Sequence, residues 1–312
     1  MKVYHNIETF NAPNPVVTIG TFDGVHNGHK KVIGRLNELA SEMGGESVIF
    51  TFFPHPRLVL SPEEGNLRLL TTLDEKIRLL EEAGADHLIA YPFTREFSNL
   101  SYSEFVKTVL VEKLGTRCLV IGYDHKFGKN REGGYEFLKQ CADQYGFRLE
   151  KLDAFYVDNI NISSTKIREA LEAGDISRTN EFLGYRFTLH GSVVEGQKLG
   201  RKIQFPTANI EASDPHKIIP GYGVYAVTVR IDGTFYKGML NIGTRPTISS
   251  NADHRSIEVH IFDFSETIYG RQIELCFYHK TRDEKKFNSI EELKTQLEKD
   301  KNQILSYFSK IL

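Results

Sequence analysis

Residues 18–33, TIGTFDGVHNGHKKVI, join a β-branched run to a stretch with helical spacing. Around one turn they hold an aspartate at 23, histidines at 26 and 29, and glycines at 20, 24 and 28. Glycine lets the backbone turn tightly or approach a ligand closely. Histidines one helical turn apart can bind a metal ion, face a phosphate or cap the helix. The segment therefore predicts a strand-to-helix turn with three open interpretations.

The same alternation of strand and helix continues to about residue 155. Short apolar runs predict strands at 14–20, 46–53, 86–93 and 117–122, and FRLEKLDAF (147–155) follows the last helix of this region. Helical spacing predicts helices at 29–43, 72–84, 101–115 and 133–146. Repeated βα units indicate a Rossmann-like α/β domain with a parallel sheet and helices on both faces. Ligands of such sheets bind at the carboxyl ends of the strands, which is where residues 20–29 lie.

The pattern changes in the second half of the chain. Residues 163–184 carry two short helical patterns, and from Tyr185 the signals are strand-like. Asp232-Gly233 between alternating runs is typical of a hairpin. These features predict a small antiparallel β-barrel, closed by a C-terminal helix over 289–312. We place the boundary after Gly184, giving domains at 1–184 and 185–312.

Length, charge and cysteine usage narrow the class of protein. A chain of 312 residues exceeds most single cores, in agreement with two domains. The net charge of −2 argues against a general nucleic-acid binder. The apolar runs are too short to span a bilayer, and the first residues lack a signal-peptide pattern. With three widely spaced cysteines, we expect a cytoplasmic protein with reduced thiols and no membrane partner.

The turn at residues 20–29 favours an anion over a metal. A helix that begins at the turn offers free N–H groups and a dipole to a phosphate. Zinc needs third and fourth ligands, and no neighbouring Cys/His cluster supplies them. A lone H-x-x-H pair, however, is more often only a helix start with exposed histidines.

Further segments raise the specificity of the first motif. GTFDGVHNGH (20–29), TFFPHP (51–56), GYDHKFGKNREGG (122–134) and ISSTKIREAL (162–171) occur in this order. Together they resemble the nucleotidyltransferase superfamily that contains the bacterial FAD synthetases, over residues 14–183. The resemblance implies transfer of AMP from ATP to the phosphate of FMN, with catalytic roles for His26, His29 and Arg168.

The resemblance also implies a set of binding residues for this reaction. ATP is expected to contact Gly20, Phe22, Asp23, Gly24, His26, His29, Asp124, Ser164, Thr165 and Arg168. The flavin is expected to contact Phe52, Pro54, His55 and Phe127. The chain departs from the family pattern at His125, where a phenylalanine is usual. Because the accepting phosphate is already ionised, the site needs alignment and charge neutralisation rather than a general base.

A second group of polar residues lies in the predicted barrel. In PTAN (206–209), Thr207 and Asn209 point to one side of an extended segment, although such residues are also common in ordinary turns. In RSIEVHIFDF (255–264), Ile257, Val259 and Ile261 share one face. Glu258 lies on the opposite face. A strand carboxylate is usually solvated, but opposite a metal–phosphate loop it can act as a general base.

Residues 185–312 resemble riboflavin kinases in the order of their motifs. The segments are GRKIQFPTANI, PGYGVYAV, GMLNIGTRPT, EVHIFDF, IYGRQIEL and RDEKKFNSIEELKTQLEKD. The resemblance implies that Thr207 and Asn209 bind Mg²⁺ with ATP and that catalytic Glu258 activates the riboflavin hydroxyl. It places Gly196, Gly200 and Arg201 at the nucleotide, and Glu258, Arg282, Glu284 and Phe287 at the flavin. Gln204 departs from the family, which usually has glycine there.

The whole chain resembles the bifunctional riboflavin kinases/FAD synthetases of bacteria. The implied small molecules are riboflavin, FMN, FAD, ATP, ADP and pyrophosphate, with Mg²⁺ and without nucleic acid. Two alternatives are a different adenylyl- or cytidylyltransferase, with the barrel giving specificity, and a flavin- or nucleotide-binding regulator without chemistry. The motifs present in both halves argue against each. The oligomeric state does not follow from the sequence.

Overall fold

The fold is described from a computed structural model. The structure describes residues 1–61, 67–122, 134–152, 162–196, 200, 203–244 and 255–311. By packing, the chain forms two compact units, Met1–Ser164 and Thr165–Leu312.

The first unit is built on a six-stranded parallel sheet. In chain order the strands are β1 (Lys2–Tyr4), β2 (Val16–Ile19), β3 (Ser47–Phe53), β4 (His87–Pro92), β5 (Cys118–Ile121) and β6 (Arg148–Lys151). Their order across the sheet is β1-β4-β3-β2-β5-β6, and every pairing is parallel. The predicted Rossmann-like α/β class is confirmed, and the two edge strands β1 and β6 are additions that the sequence did not predict as strands.

Helices connect these strands. They are α1 (Asn27–Glu42), α2 (Pro56–Leu60), α3 (Leu73–Glu82), α4 (Arg95–Ser98), α5 (Tyr102–Glu104) and α6 (Tyr135–Tyr145). The helix predicted over 101–115 is instead the short α5 followed by a π-helix at Phe105–Lys113. A periodicity of apolar residues cannot separate these two geometries over a single short segment.

The core of the first unit lies on the central strands. All four residues of β2 and all four of β5 are buried, as expected for strands covered on both faces. Helix α1 turns Ile33, Leu36 and Leu39 toward the sheet, and all three are fully buried. The amphipathic spacing read from the sequence therefore decides which side of α1 packs and leaves its N-terminus at the carboxyl end of β2.

The described part of the second unit contains two helices, a closed barrel and a final helix. These are α7 (Ser164–Glu172, beginning at the last residue of the first unit), α8 (Ile176–Leu183), β7 (Thr188–Val194), β8 (Ala208–Ala212), β9 (Gly223–Ile231), β10 (Thr234–Thr244), β11 (Arg255–Ile261), β12 (Gln272–Arg282) and α9 (Ile290–Ile311). The strands close in the order β10-β11-β8-β7-β12-β9 with antiparallel pairing. Asp232-Gly233 forms the predicted hairpin between β9 and β10.

Helices α7 and α8 belong to the second unit by packing. Asn180 Nδ2 donates to Phe277 O at 3.0 Å, and Phe187 N donates to Asn180 Oδ1 at 2.8 Å. Gly221 N donates to Leu171 O at 2.8 Å. The packing boundary thus precedes both helices, whereas the sequence analysis places a boundary after them. Where one activity ends and the other begins stays a prediction.

None of the helices in the described ranges is both long and apolar enough to cross a membrane.

Candidate active sites

The turn after β2 has an unusual backbone. Phe22, Gly24 and Val25 have positive φ angles of 46°, 85° and 35°. Glycine adopts such angles freely, but a β-branched valine rarely does. A backbone of this kind persists only where its surroundings hold it, and it is enriched at functional sites.

Asp23 fixes this turn from inside the protein. Its carboxylate, 1% exposed, accepts hydrogen bonds from Leu70 N (3.0 Å) and Thr71 N (3.1 Å). Thr71 Oγ1 donates to the same carboxylate at 3.3 Å and accepts from Gly24 N at 3.1 Å. The structure therefore gives Asp23 a supporting role, and a direct contact of its side chain with ATP stays a prediction. Thr71, just before α3, binds both Asp23 and Gly24, and the sequence did not indicate this role.

His26 and His29 stand together at the N-terminus of α1. His26 is the N-cap, and its Nδ1 accepts from His29 N at 3.4 Å. The two rings stack, with centroids 3.7 Å apart and an interplanar angle of 18°. Phe22 packs against His29 with a centroid distance of 5.0 Å. The predicted cap is thus present in the same place as the predicted phosphate site.

The environment of His29 disfavours its charged form. Burial lowers its pKa well below the ordinary value of 6.5, and the nearby His26 and Lys76 lower it further. Within the described part of the chain, His29 Nδ1 is buried without a hydrogen-bond partner. A buried polar atom of this kind is costly unless something binds it. These surroundings therefore favour the neutral imidazole, and its Nδ1 has an open hydrogen-bonding position.

The second motif of the first site meets the first through Ser164. Ser164 Oγ donates to Asp23 O at 2.9 Å, across 141 residues of sequence. Ser164 is also the first residue of α7. Along α7, Thr165 is exposed and Arg168 is half-buried. Asp124, His125 and Phe127 lie outside the described residues.

An aromatic cluster follows β3 and β4. Phe52 lies within 5.3–5.8 Å, between ring centroids, of Phe50, Phe93 and Phe97. The neighbouring Phe53 is 46% exposed, and Pro54 is exposed as well. His55 caps α2, because its Nδ1 accepts from Arg57 N at 3.2 Å. The sequence did not indicate Phe93, which follows β4, or Phe97, which lies in α4, because only the sheet brings them beside β3.

The kinase-like residues meet on the outer face of the barrel. Glu258 on β11 lies directly opposite Asn209 on β8, and directly opposite residues share a face. Thr207 Oγ1 donates to Glu258 Oε2 at 3.2 Å. Ile257 and Val259, which flank Glu258 in the sequence, are buried inside the barrel. The predicted alternation is confirmed, and it leaves Glu258 half-buried.

Two glycines allow the chain to approach this cluster. A Cβ at Gly196 would overlap the side-chain amide of Asn209. A Cβ at Gly200 would overlap the carbonyl oxygen of Phe205. Gln204 has a φ angle of 66°, which glycine would adopt without strain, and its Oε1 accepts from Lys294 Nζ at 3.4 Å. Arg201 lies outside the described residues.

A cleft of about 430 Å³ borders Thr207. One wall consists of inward-facing apolar side chains, and the other is the segment between β11 and β12. Its lining residues are Val193, Pro206, Thr207, Ala208, Val259, Ile261 and 264–269. The sequence analysis did not assign residues 264–269 to the site, since their composition resembles that of any connecting loop.

Besides Glu258, the other three residues predicted at the flavin of the kinase have different surroundings. Arg282 forms a double salt bridge with Asp300, with Nε and Nη2 at 2.9 and 2.8 Å from Oδ2. Its guanidinium lies 5.7 Å from the ring centre of Phe287. Glu284 Oε1 accepts from Thr244 N at 3.3 Å. Arg282 thus anchors helix α9 through Asp300, and direct flavin contacts of these three residues stay predictions.

The polar cluster of the barrel suits a hard cation. In the described ranges, no group of three or more His, Cys, Asp or Glu side chains could hold a metal ion, so a zinc-type centre is absent there. The hydroxyl of Thr207, the amide of Asn209 and the carboxylate of Glu258 instead offer oxygen atoms. Mg²⁺ accepts such ligands and takes the rest from phosphates and water.

Comparisons with known proteins match one family to each part of the chain. The profile of the family described as FAD synthetase matches residues 9–166, and that described as riboflavin kinase matches residues 183–308. A bifunctional riboflavin kinase/FMN adenylyltransferase of Listeria monocytogenes is 39% identical over 96% of this chain and 94% of its own length. The corresponding protein of Haemophilus influenzae is 40% identical, over 94% of each chain.

A solved structure shares the whole architecture. The crystal structure described as a macrolide-efflux protein from Streptococcus pneumoniae has a TM-score of 0.84 and 29% identity, covering 96% of this chain and 97% of its own. Both domain profiles and the curated relatives agree on two transferase activities, with FAD synthetase N-terminal and riboflavin kinase C-terminal. The chain therefore belongs to the family of bifunctional riboflavin kinases/FMN adenylyltransferases.

Proposed function

We propose that the two activities use the two clusters described above. The barrel phosphorylates riboflavin with Glu258 as general base and with Thr207 and Asn209 holding Mg²⁺-ATP. The α/β domain transfers AMP from ATP to FMN at the turn that carries His26 and His29. We assign these activities to residues 185–312 and 1–184 respectively.

The hydrogen bond between Thr207 and Glu258 is the observation that supports the kinase assignment. It puts a carboxylate and a candidate metal ligand 3.2 Å apart on one face of the barrel. Glu258 would take the proton of the riboflavin hydroxyl as that oxygen bonds to the γ-phosphorus and ADP leaves. A primary alcohol is a poor nucleophile, so a base in reach of it raises the rate. The metal bound with ATP would neutralise the charge that develops on the phosphates.

The adjoining cleft supports a place for the nucleotide. It has one apolar wall, with Val259 and Ile261, and it opens beside Thr207. An adenine ring would bury its faces against Val259 and Ile261, and its phosphates would extend toward Thr207 and Asn209. Gly196 would leave room for the phosphates, because no Cβ separates its backbone from Asn209.

For AMP transfer, the stacked histidines and the start of α1 are the supporting observation. An oxygen of the FMN phosphate would bond to the α-phosphorus of ATP, and pyrophosphate would leave. The reaction moves no proton from the attacking phosphate. His26, His29 and the free N–H groups of α1 would orient the phosphates, and Arg168 would bind their oxygens. Phe52, with the cluster around it, would pack against the flavin ring.

The family uses ATP with a divalent metal, and we propose Mg²⁺ as that metal because Thr207 and Asn209 offer hydroxyl and amide oxygens. Riboflavin, FMN and ATP are the substrates, and FAD, ADP and pyrophosphate are among the products. We also propose a cytoplasmic location, supported by free cysteine residues at 118, 141 and 276.

The test is a time course of flavin products from riboflavin, ATP and Mg²⁺. Wild-type protein should form FMN and then FAD. Glu258→Gln should reduce FMN formation by roughly 100-fold or more, since a general base contributes about this much, yet still convert supplied FMN to FAD. His29→Ala should show the reverse pattern. Glu211→Gln, on exposed β8 surface, is the matched control and should behave as wild type.

Two results would contradict the residue assignments. Normal FMN formation by Glu258→Gln would remove Glu258 from the role of base. An unchanged rate of FAD formation by His29→Ala would remove His29 from the AMP transfer site.

A further inference from the structure

A buried lysine lies behind the turn that carries the first site. Lys76, in the first turn of α3, is 6% exposed. Its Nζ donates to Thr21 O at 2.7 Å. The same carbonyl oxygen accepts from Thr51 Oγ1 at 3.3 Å. Burial of an ammonium group reduces the stability of the fold. A buried lysine beside a turn with positive φ angles therefore indicates a specific role at that turn.

The segment around Lys76 holds the turn at two points. Leu70 and Thr71 bind the carboxylate of Asp23, and Lys76 binds the carbonyl of Thr21. The lysine itself is fixed because α3 begins with a capping box, in which Glu75 Oε2 accepts from Thr72 N at 2.9 Å and Thr72 Oγ1 accepts from Glu75 N at 3.3 Å. A segment without a predicted site residue therefore sets the path of the TFDG turn.

The charge of Lys76 also reaches the histidine pair. After burial and His26, Lys76 is the third cause of the lowered pKa of His29. The pKa of Lys76 is itself lowered by burial, and the carboxylate of Asp23 opposes that change. The groups that act on His29 are thus His26 on the same helix and Lys76 on α3, while Asp23 of the turn acts on Lys76.

We propose that Lys76 is a positioning residue of the AMP transfer site. It holds the carbonyl of Thr21 so that the turn presents the start of α1 to the phosphates. Its ammonium group also acts electrostatically on His29. This inference rests on the proposed role of His29 at the phosphates of ATP.

The test compares Lys76→Met, Lys76→Arg and Arg78→Met in the full chain. Arg78→Met is the matched control, because it removes a cation from the same helix, and the Arg78 side chain is 45% exposed with Glu82 at 3.9 Å. For each variant we would measure kcat and KM of AMP transfer, riboflavin kinase activity, thermal unfolding and the NMR titration of His29. His29→Ala assigns the histidine signal.

We expect the kcat/KM of AMP transfer to be roughly 10- to 100-fold lower in Lys76→Met, because small displacements of reacting groups reduce rates by about this much. The pKa of His29 should rise in this variant, since a neighbouring positive charge is gone. Lys76→Arg should lose less and keep the His29 titration near that of wild type, because the charge remains. Arg78→Met and the kinase activity of all three variants should be unchanged.

Three outcomes would overturn the inference. One is AMP transfer at the wild-type rate in Lys76→Met. Another is a loss of activity with an unshifted His29 titration, which indicates a structural role alone. The third is an equal loss in Arg78→Met. If Lys76→Met does not fold, Lys76→Arg decides, and an upward-shifted His29 titration in that folded variant would contradict the proposal. His29→Ala with unchanged AMP transfer would instead contradict the proposed function.

Discussion

Single residues in both sites have roles that depend on what lies behind them. Asp23 belongs to the TFDG motif, but its carboxylate is buried against Leu70 and Thr71 rather than presented to solvent. Gly196 has no side chain, and its importance comes from the amide of Asn209 that lies against it. In both cases the residue type indicates a constraint, and the partner explains it.

Gly196→Ala tests such a constraint in the barrel. The added Cβ would overlap the Asn209 amide, which must then move from its place opposite Glu258. We expect riboflavin kinase activity to fall by roughly tenfold or more, because misplaced binding groups lose much of their effect, while AMP transfer is retained. Gly34→Ala is the control, since a Cβ there meets no atom within 4 Å. Full kinase activity in Gly196→Ala would show that Asn209 moves without consequence.

At the scale of elements, two side chains of strand β11 form hydrogen bonds with the PTAN segment. Glu258 binds Thr207, and two residues further His260 Nδ1 lies 2.8 Å from Pro206 O. His260 is buried, and its ring packs at 5.2 Å from Phe205. Alternation along the strand therefore brings both side chains to the face on which residues 206–209 lie.

His260→Phe should separate packing from hydrogen bonding at this position. The ring contacts would remain, whereas Pro206 O would lose its donor. We expect the variant to fold, with a free energy of unfolding lower by about 1 kcal/mol or more, which is typical of an unpaired buried acceptor. Its KM for ATP in the kinase reaction should rise, and its AMP transfer should not change. A wild-type KM would indicate that residues 206–207 hold their position without His260.

At the scale of the whole molecule, each unit contains a histidine whose protonation opposes folding. Burial is the main cause of the lowered pKa of His29 in the first unit and of His260 in the second. In the unfolded chain both would titrate near 6.5. The unfolded state therefore binds more protons between the lowered pKa values and 6.5.

The sign of this difference predicts that stability falls as the pH decreases below about 6.5. Thermal unfolding measured across this range should show lower transition temperatures at the acidic end. His29→Gln should flatten this dependence for the unit with the parallel sheet, and His260→Phe should flatten it for the barrel. Unaltered pH dependence in both variants would show that other groups control acid sensitivity.

The sequence predicted much of the fold because the spacing of apolar residues within a strand or a helix is visible over a short stretch of chain. The buried β2 and β5 and the amphipathic α1 follow from local apolar spacing. The π-helix at Phe105–Lys113 and the placement of α7 and α8 on the barrel did not follow from it. A π-helix differs from an α-helix by one residue per hydrogen bond, and the packing of a connecting helix depends on both neighbours.

The candidate sites divide in the same way. The sequence by itself determined the residues with chemistry to offer, among them His26, His29, Thr207, Asn209 and Glu258, because their order and spacing are local properties of the chain. Only the tertiary structure decided that Ser164 meets Asp23, that Lys76 supports Thr21, and that residues 264–269 border Thr207. These contacts join segments far apart in sequence, and such contacts are selected by packing of the whole core rather than by any local pattern.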